Sequence, residues 1–185
     1  LERPYSSGMF LSLLMVYSWT QVLFESEKRR KMLFAFLYTI SMVCCMYNHY
    51  FSFLFAIIVG ISGLFFLKKN NIKHYLGAAL ASVLLFLPHL SITLTQLGRG
   101  GLSEWLGKPL PDTFQRYLYY IFNESRFVLF LFLIVLLISV VLFIYKRKLN
   151  KFHLLSLLWF LFPFYIAYYY SLHVNPVYQH SIMIF

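Results

Sequence analysis

The sequence predicts an all-α fold, a polytopic bundle of about six transmembrane helices. Hydrophobic residues make up 61% of the chain and charged residues only 12%, about half of the roughly 25% usual in a soluble domain. Three basic clusters occupy every second gap between long apolar segments, at Lys28–Lys31, Lys68–Lys73 and Lys146–Lys151, and they hold four, three and four of the 16 basic residues. This alternation is the positive-inside pattern of a chain that crosses a membrane several times.

Six apolar segments approach the roughly 20 residues that a helix needs to cross the hydrocarbon core. In order they are Gly8–Phe24, Met32–Tyr47, Phe51–Leu67, Tyr75–Leu94, Phe127–Tyr145 and Phe152–Leu172. Their sequences contain no Asp, Glu, Lys or Arg, and they are longer than the roughly 10-residue strands of an outer-membrane barrel. We therefore predict helices, with a tight turn at Asn48-His49 between the second and the third.

The basic clusters also predict which segments lie on which side of the membrane. With the clusters in the cytoplasm, four segments lie outside: the residues before the first span, the turn at Asn48–Tyr50, the stretch Thr95–Arg126 and the tail after Leu172. Because most basic residues flank the spans, the net charge of +10 marks topology and lipid contact rather than nucleic-acid binding.

Residues 95–126 are expected to form an extracytoplasmic loop with an interfacial helix. Asp112 and Gln115 have the spacing of a capping box, and an apolar face follows with helical period. Its members are Phe114, Tyr117, Leu118, Ile121 and Phe122. We predict a helix from Asp112 to Phe122 that lies in the outer interface and lids a cavity. The alternative is a loop helix packed permanently on the bundle.

Two outer segments carry side chains suited to phosphate binding. Arg3 offers bidentate recognition of phosphate, and Glu2 beside it suits a metal or a hydroxyl. Alternatively, Glu2 and Pro4 simply suit the first turn of a helix. In the turn between the second and third spans, His49 is able to hydrogen-bond a phosphate and to titrate near neutral pH. Alternatively, His49 is an ordinary turn residue.

Cysteines and histidines predict no metal site, because Cys44 and Cys45 are adjacent and the six histidines lack ligand spacing. The chain starts at Leu1 without Met and stops within an apolar segment at Phe185. We therefore expect a fragment of a longer protein.

Four short motifs carry a resemblance to a known family. They are Glu2-Arg3-Pro4-Tyr5-Ser6, Asn48-His49-Tyr50-Phe51, Leu87-Pro88-His89-Leu90 with Gln96, Arg99 and Trp105, and Asn175-Pro176-Val177-Tyr178 with His180. In this order they resemble elements of bacterial membrane glycosyltransferases related to protein O-mannosyltransferases and lipid A aminoarabinose transferases.

The resemblance implies a GT-C fold in a bacterial cytoplasmic membrane, with an outward-facing site. It implies transfer of a sugar from a polyprenyl-phosphate donor, and a divalent metal ion in the full-length enzyme is left open. The main catalytic Asp of the family lies in a first outer loop upstream of this sequence, so no catalytic residue is assigned. The implied substrate-binding residues are Glu2, Arg3, His49, Tyr50, Arg99, Trp105 and His180.

Two other classes of membrane protein stay open. One is a transporter or lipid flippase, although the predicted spans lack the charged residues and broken helix pairs that mark a substrate pathway within the membrane. The other is a membrane acyltransferase, for which His49 would be the candidate histidine.

Overall fold

The computed structural model describes residues 5–98, 107–146 and 150–178, and the regular elements in these ranges are helices. This confirms the predicted all-α class. The described residues divide into two compact units, residues 5–98 and residues 107–178; we call them unit 1 and unit 2.

Unit 1 contains four α-helices and a short 3-10 helix. They are α1 (Tyr5–Phe24), α2 (Lys28–Asn48), α3 (Tyr50–Ser62), the 3-10 helix (Gly63–Phe66) and α4 (Ile72–Gly98). Each α-helix buries one face at the helical spacing of three and four residues. On α4, for example, that face holds Tyr75, Ala78, Ser82 and Phe86.

Fewer spans than predicted meet the requirements of length and composition. Within the described ranges four helices do so, namely Ser6–Phe24, Lys28–Asn48, Ile72–Gln96 and Lys151–His173, and a bent pair in unit 2 makes a fifth if counted as one span. The predicted third span corresponds to the shorter apolar segment Tyr50–Phe66. The six-span count is therefore not confirmed.

Asn71 joins chain segments by hydrogen bonds at the end of unit 1 that carries the first two basic clusters. Its buried side-chain amide donates to the carbonyl of Leu23 at 3.0 Å and of Phe66 at 3.3 Å, and its Oδ1 accepts from Lys68 N at 2.7 Å. The side-chain amide of Asn71 thus donates to carbonyl groups at the ends of α1 and of the 3-10 helix. The last carbonyl groups of a helix have no partner within that helix.

A second contact joins the two basic clusters, because Lys31 Nζ donates to the carbonyl of Asn70 at 3.3 Å. Clusters Lys28–Lys31 and Lys68–Lys73 therefore lie at the same end of unit 1, which we call the basic end.

Two stacked tyrosines occupy the centre of unit 1. The rings of Tyr38 and Tyr75 are 5.9 Å apart with 20° between their planes, and the Tyr75 hydroxyl donates to the carbonyl of Gly60. Gly63 lies against the Tyr75 ring, where an added Cβ would be 2.7 Å from Cε2 and still closer to Cζ and the hydroxyl oxygen. The missing side chain of Gly63 is therefore what lets this part of the chain approach α4 so closely.

Unit 2 contains α5 (Thr113–Ile121), α6 (Arg126–Lys146) and α7 (Lys151–His173). The axes of α5 and α6 differ by 99°, and the turn between them holds Asn123 and Glu124 with φ of 51° and 58°. An α6 that crosses a membrane would place α5 nearly in the membrane plane.

The helix α6 is apolar on every side, and all its side chains from Phe127 to Leu142 are at least partly exposed. A helix of this kind needs an apolar surrounding. Its composition is compatible with contact with a lipid bilayer.

Aromatic contacts pack α5 on α7. Phe114 and Tyr117 lie with ring centroids 4.9 Å and 5.3 Å from that of Phe164. The helix begins and ends one residue inside the predicted range. Movement of α5 as a lid stays a prediction.

The predicted capping box at the start of α5 is wrong. Asp112 precedes the helix but its side chain makes no capping hydrogen bond; its Oδ2 accepts from Arg116 Nε at 2.7 Å. A charge-assisted bond is about twice as strong as a neutral one, so Arg116 one turn later outcompetes the backbone N–H groups for this carboxylate.

Candidate functional site

Three helix ends meet at the opposite end of unit 1, which we call the polar end. Near the start of α1, Ser7 Oγ donates to Asn48 Oδ1 at 3.1 Å. Directly after the turn, the Tyr50 hydroxyl donates to Gln96 Oε1 near the end of α4. The start of α1, the α2–α3 turn and the end of α4 are thus joined by polar side chains.

His49 connects α2 to α3 and is the N-cap of α3. Its extended backbone, with φ −161° and ψ 152°, breaks the helix, and its Nδ1 accepts from the backbone N–H of Phe51 at 3.3 Å. The ring also stacks on that of Phe51, with centroids 5.7 Å apart and 14° between planes. This capping bond satisfies one of the N–H groups that lack a partner at a helix start.

The same contacts define the protonation state of His49. Because Nδ1 is an acceptor, the ring proton of the neutral form is assigned to Nε2. Burial lowers the pKa of the His49 imidazole below its ordinary value of about 6.5, which favours this neutral form at pH 7. In this form the side chain offers one hydrogen-bond donor, Nε2–H, and carries no charge.

Below the turn, an aromatic layer supports the polar end. The Tyr47 ring lies 4.8 Å from that of His89, and its hydroxyl donates to the carbonyl of Leu85 at 3.0 Å. Leu85 is close to Pro88, which interrupts the backbone hydrogen bonds of α4 because it has no N–H. Tyr47 thus bonds α4 one residue after Leu84, whose carbonyl Pro88 leaves without its usual N–H donor.

A shallow depression of about 220 Å³ lies on α4 beside the Tyr50–Gln96 contact, and it is lined by Ser91, Ile92, Thr95 and Gln96. This volume is below the 300–1,000 Å³ usual for drug-sized ligands. It suits one small polar group rather than a whole sugar lipid.

The structure describes two of the seven predicted binding residues, His49 and Tyr50, which are neighbours at the polar end. The other five, Glu2, Arg3, Arg99, Trp105 and His180, lie outside the described residues. We expect Arg3, His49 and Arg99 to converge on one outward cavity and to contact the donor phosphate, and this stays a prediction. Gln96 belongs to one of the resemblance motifs but was not predicted as a binding residue, and only the fold shows that it meets Tyr50.

Within the described ranges, no three His, Cys, Asp or Glu side chains are grouped so as to hold a metal ion. The residues at the polar end are mainly hydroxyl, amide and imidazole groups. They do not form a metal site by themselves.

In unit 2, the residues after α7 fold back on that helix. The backbone N–H of Val177 donates to Ser171 Oγ at 3.2 Å, and the Tyr178 ring lies 5.6 Å from that of Phe164. Burial raises the pKa of the Tyr178 phenol. The segment with the Asn175–Tyr178 motif is therefore part of the packed unit.

Comparison with known proteins found no matching family model, no matching curated protein and no solved structure with a matching fold.

Proposed function

We propose that the chain is part of an integral membrane glycosyltransferase that moves a sugar from a polyprenyl-phosphate donor to an acceptor on the extracytoplasmic side. The observation that supports this best is the polar end of unit 1. There three helix ends bring an imidazole, a tyrosine hydroxyl and an amide together, at the end of unit 1 away from its two basic clusters. We place the protein in a bacterial cytoplasmic membrane, with the polar end facing outward.

The topology that we propose includes a crossing by α3. Its first residue, Tyr50, bonds Gln96 at the polar end, and the 3-10 helix that extends it ends at Phe66, whose carbonyl is bonded at the basic end. A 3-10 helix rises about 2.0 Å per residue instead of 1.5 Å, so the short segment gains length. If α1 and α2 cross a membrane, the segment Tyr50–Phe66 connects the same two faces.

In the proposed reaction, the acceptor hydroxyl oxygen attacks the anomeric carbon while the bond from that carbon to the phosphate oxygen breaks. The bonding electrons leave with the polyprenyl phosphate, and the hydroxyl proton passes to a carboxylate that the resemblance places upstream of this sequence. His49 Nε2–H acts as a hydrogen-bond donor to a phosphate oxygen as charge develops there. The Tyr50 hydroxyl, whose proton is donated to Gln96 Oε1, orients that amide beside the donor phosphate. No step passes through a metal ion.

The test uses the natural full-length protein in membrane vesicles with a radiolabelled polyprenyl-phosphate sugar. His49→Asn keeps an N-cap acceptor, because Asn is among the best N-cap residues, but it removes the imidazole Nε2–H. We expect this variant to fold normally and to lose donor binding and transfer by about tenfold or more, the value of one charge-assisted hydrogen bond. His153→Asn, the same substitution at an exposed histidine of α7, is the control and should transfer normally.

Two results would contradict the proposal. Normal transfer by His49→Asn would reduce His49 to a helix cap. Movement of the labelled lipid across the membrane, with no sugar transferred to any acceptor fraction, would favour a flippase.

A further inference from the structure

A groove at the basic end of unit 1 combines arginines with an apolar wall. It has a volume of about 610 Å³ and is lined by Glu27, Arg29, Arg30, Met32, Leu33 and Phe36. Its charged residues belong to the start of α2, and its apolar residues to the turns that follow. Because residues three and four apart share a helix face, Arg29, Leu33 and Phe36 form one continuous stripe.

The charges in the groove are only partly compensated. Arg30 Nε lies 2.9 Å from Glu27 Oε2, whereas Arg29 makes no ion pair with a described carboxylate. The neighbouring acid Glu25 is turned to the backbone, where its Oε1 accepts from Ser26 N at 2.7 Å and Glu27 N at 3.1 Å. One glutamate faces two arginines, so the groove carries one net positive charge.

The apolar stripe below Arg29 has the length of one membrane leaflet. Leu33 and Phe36 are more than half exposed, and Ile40 continues the stripe with 42% of its surface exposed. From Arg29 to Ile40 the helix rises about 16 Å at 1.5 Å per residue. This matches half of the roughly 30 Å hydrocarbon core.

We propose that this groove is a binding site for an anionic diacyl phospholipid of the cytoplasmic leaflet. The phosphate lies at Arg29, where a planar guanidinium offers two donors, and one acyl chain lies along Leu33, Phe36 and Ile40. The net charge of the groove favours an anionic headgroup over a zwitterionic one. The inference rests on the membrane location proposed above but not on sugar transfer.

The test measures lipid binding to the purified protein in neutral detergent by native mass spectrometry, with dioleoyl phosphatidylglycerol and dioleoyl phosphatidylcholine as probes. The unchanged protein should retain the anionic lipid in preference. Arg29→Gln should weaken its binding about fivefold, from about 1 kcal/mol per basic residue near a lipid surface. Glu27→Gln removes the ion pair with Arg30 and should strengthen binding of the anionic lipid. Misfolding would not produce such a gain in binding.

Lys69→Gln is the matched control, since it removes the same charge from the same end of unit 1 but lies outside the groove. Its binding of the anionic lipid should be nearly unchanged. Equal losses in Lys69→Gln and Arg29→Gln would show general attraction to a basic surface and overturn the site. No gain in Glu27→Gln, or equal retention of the two lipids by the unchanged protein, would also overturn it.

Discussion

Replacing Gly63 by alanine tests the packing at the centre of unit 1. The backbone of Gly63 has φ −65° and ψ −23°, so alanine meets no backbone strain. Its Cβ would nevertheless lie 2.7 Å from Tyr75 Cε2 and closer to two further atoms of that side chain. Tyr75 is 1% exposed, stacked on Tyr38 and hydrogen-bonded to Gly60, so its ring has little room to move.

The expected loss follows from these contacts. Overpacking a core costs about 1–3 kcal/mol, and losing the Tyr75 hydrogen bond adds about 0.5–1.5 kcal/mol. Alanine also lowers the conformational entropy of the unfolded chain, which stabilises the folded protein by about 0.4–1 kcal/mol and offsets part of this loss. We therefore expect Gly63→Ala to lower the free energy of unfolding by about 2–3 kcal/mol.

Reversible unfolding in mixed detergent micelles, followed by circular dichroism, measures this change. Gly77→Ala is the control, because a Cβ at Gly77 meets nothing within 4 Å and should add about 0.5–1 kcal/mol. Adding Tyr75→Val to Gly63→Ala removes the ring that the new Cβ meets. The double variant should therefore lose less unfolding free energy than the two single variants added together, by about 1 kcal/mol or more. An unaltered unfolding free energy for Gly63→Ala, or additive losses, would refute the close approach.

Three further predictions concern the two ends of unit 1 and the turn in unit 2. Asn71→Asp removes two donors and should lower the free energy of unfolding by about 3 kcal/mol, whereas Asn70→Asp, on an exposed side chain, should change it little in the same unfolding assay. Glu124→Gly should raise the melting temperature, since its φ of 58° strains a residue with a side chain by about 1–2 kcal/mol; Glu124→Ala should give no such gain. The pKa of His49 is lower in the folded chain than its ordinary value of about 6.5, so between these two pKa values the unfolded chain binds more protons than the folded one. The free energy of unfolding should therefore fall as the pH drops from above about 6.5 through this window. His49→Asn should remove that part of the pH dependence, and an unchanged dependence would exclude His49 as its source.

The course of the chain follows from its hydrophobic pattern, but the exact helix bounds do not. The apolar segment Met32–Tyr47 lies inside α2, which begins at Lys28 and ends at Asn48. The difference arises because hydropathy marks only the apolar part of a helix, while Lys and Arg are good helix formers that extend it. The fourth segment lengthens as well, to Ile72–Gly98, although Lys73 is the only basic helix former among the residues added.

Contacts between distant parts of the chain could not be predicted from one sequence. Asn71 lies between basic residues and has the composition of a loop, yet it is fully buried and bonds Leu23, 48 positions earlier. Gly63 likewise looks like any glycine of an apolar segment until α4 brings Tyr75 against it. Neither residue has a periodic or motif signal, since each role depends on three chain segments meeting.

His49 shows how a structural role and a proposed site role depend on the same atoms. The sequence identified it as either a phosphate donor or a turn residue, and the structure establishes the turn role through the bond from Phe51 N to Nδ1. That bond does not compete with phosphate binding, because it uses Nδ1 and assigns the proton of the neutral ring to Nε2. An amide at this position preserves the cap but lacks the second ring nitrogen, so His49→Asn separates the two roles where His49→Ala would remove both.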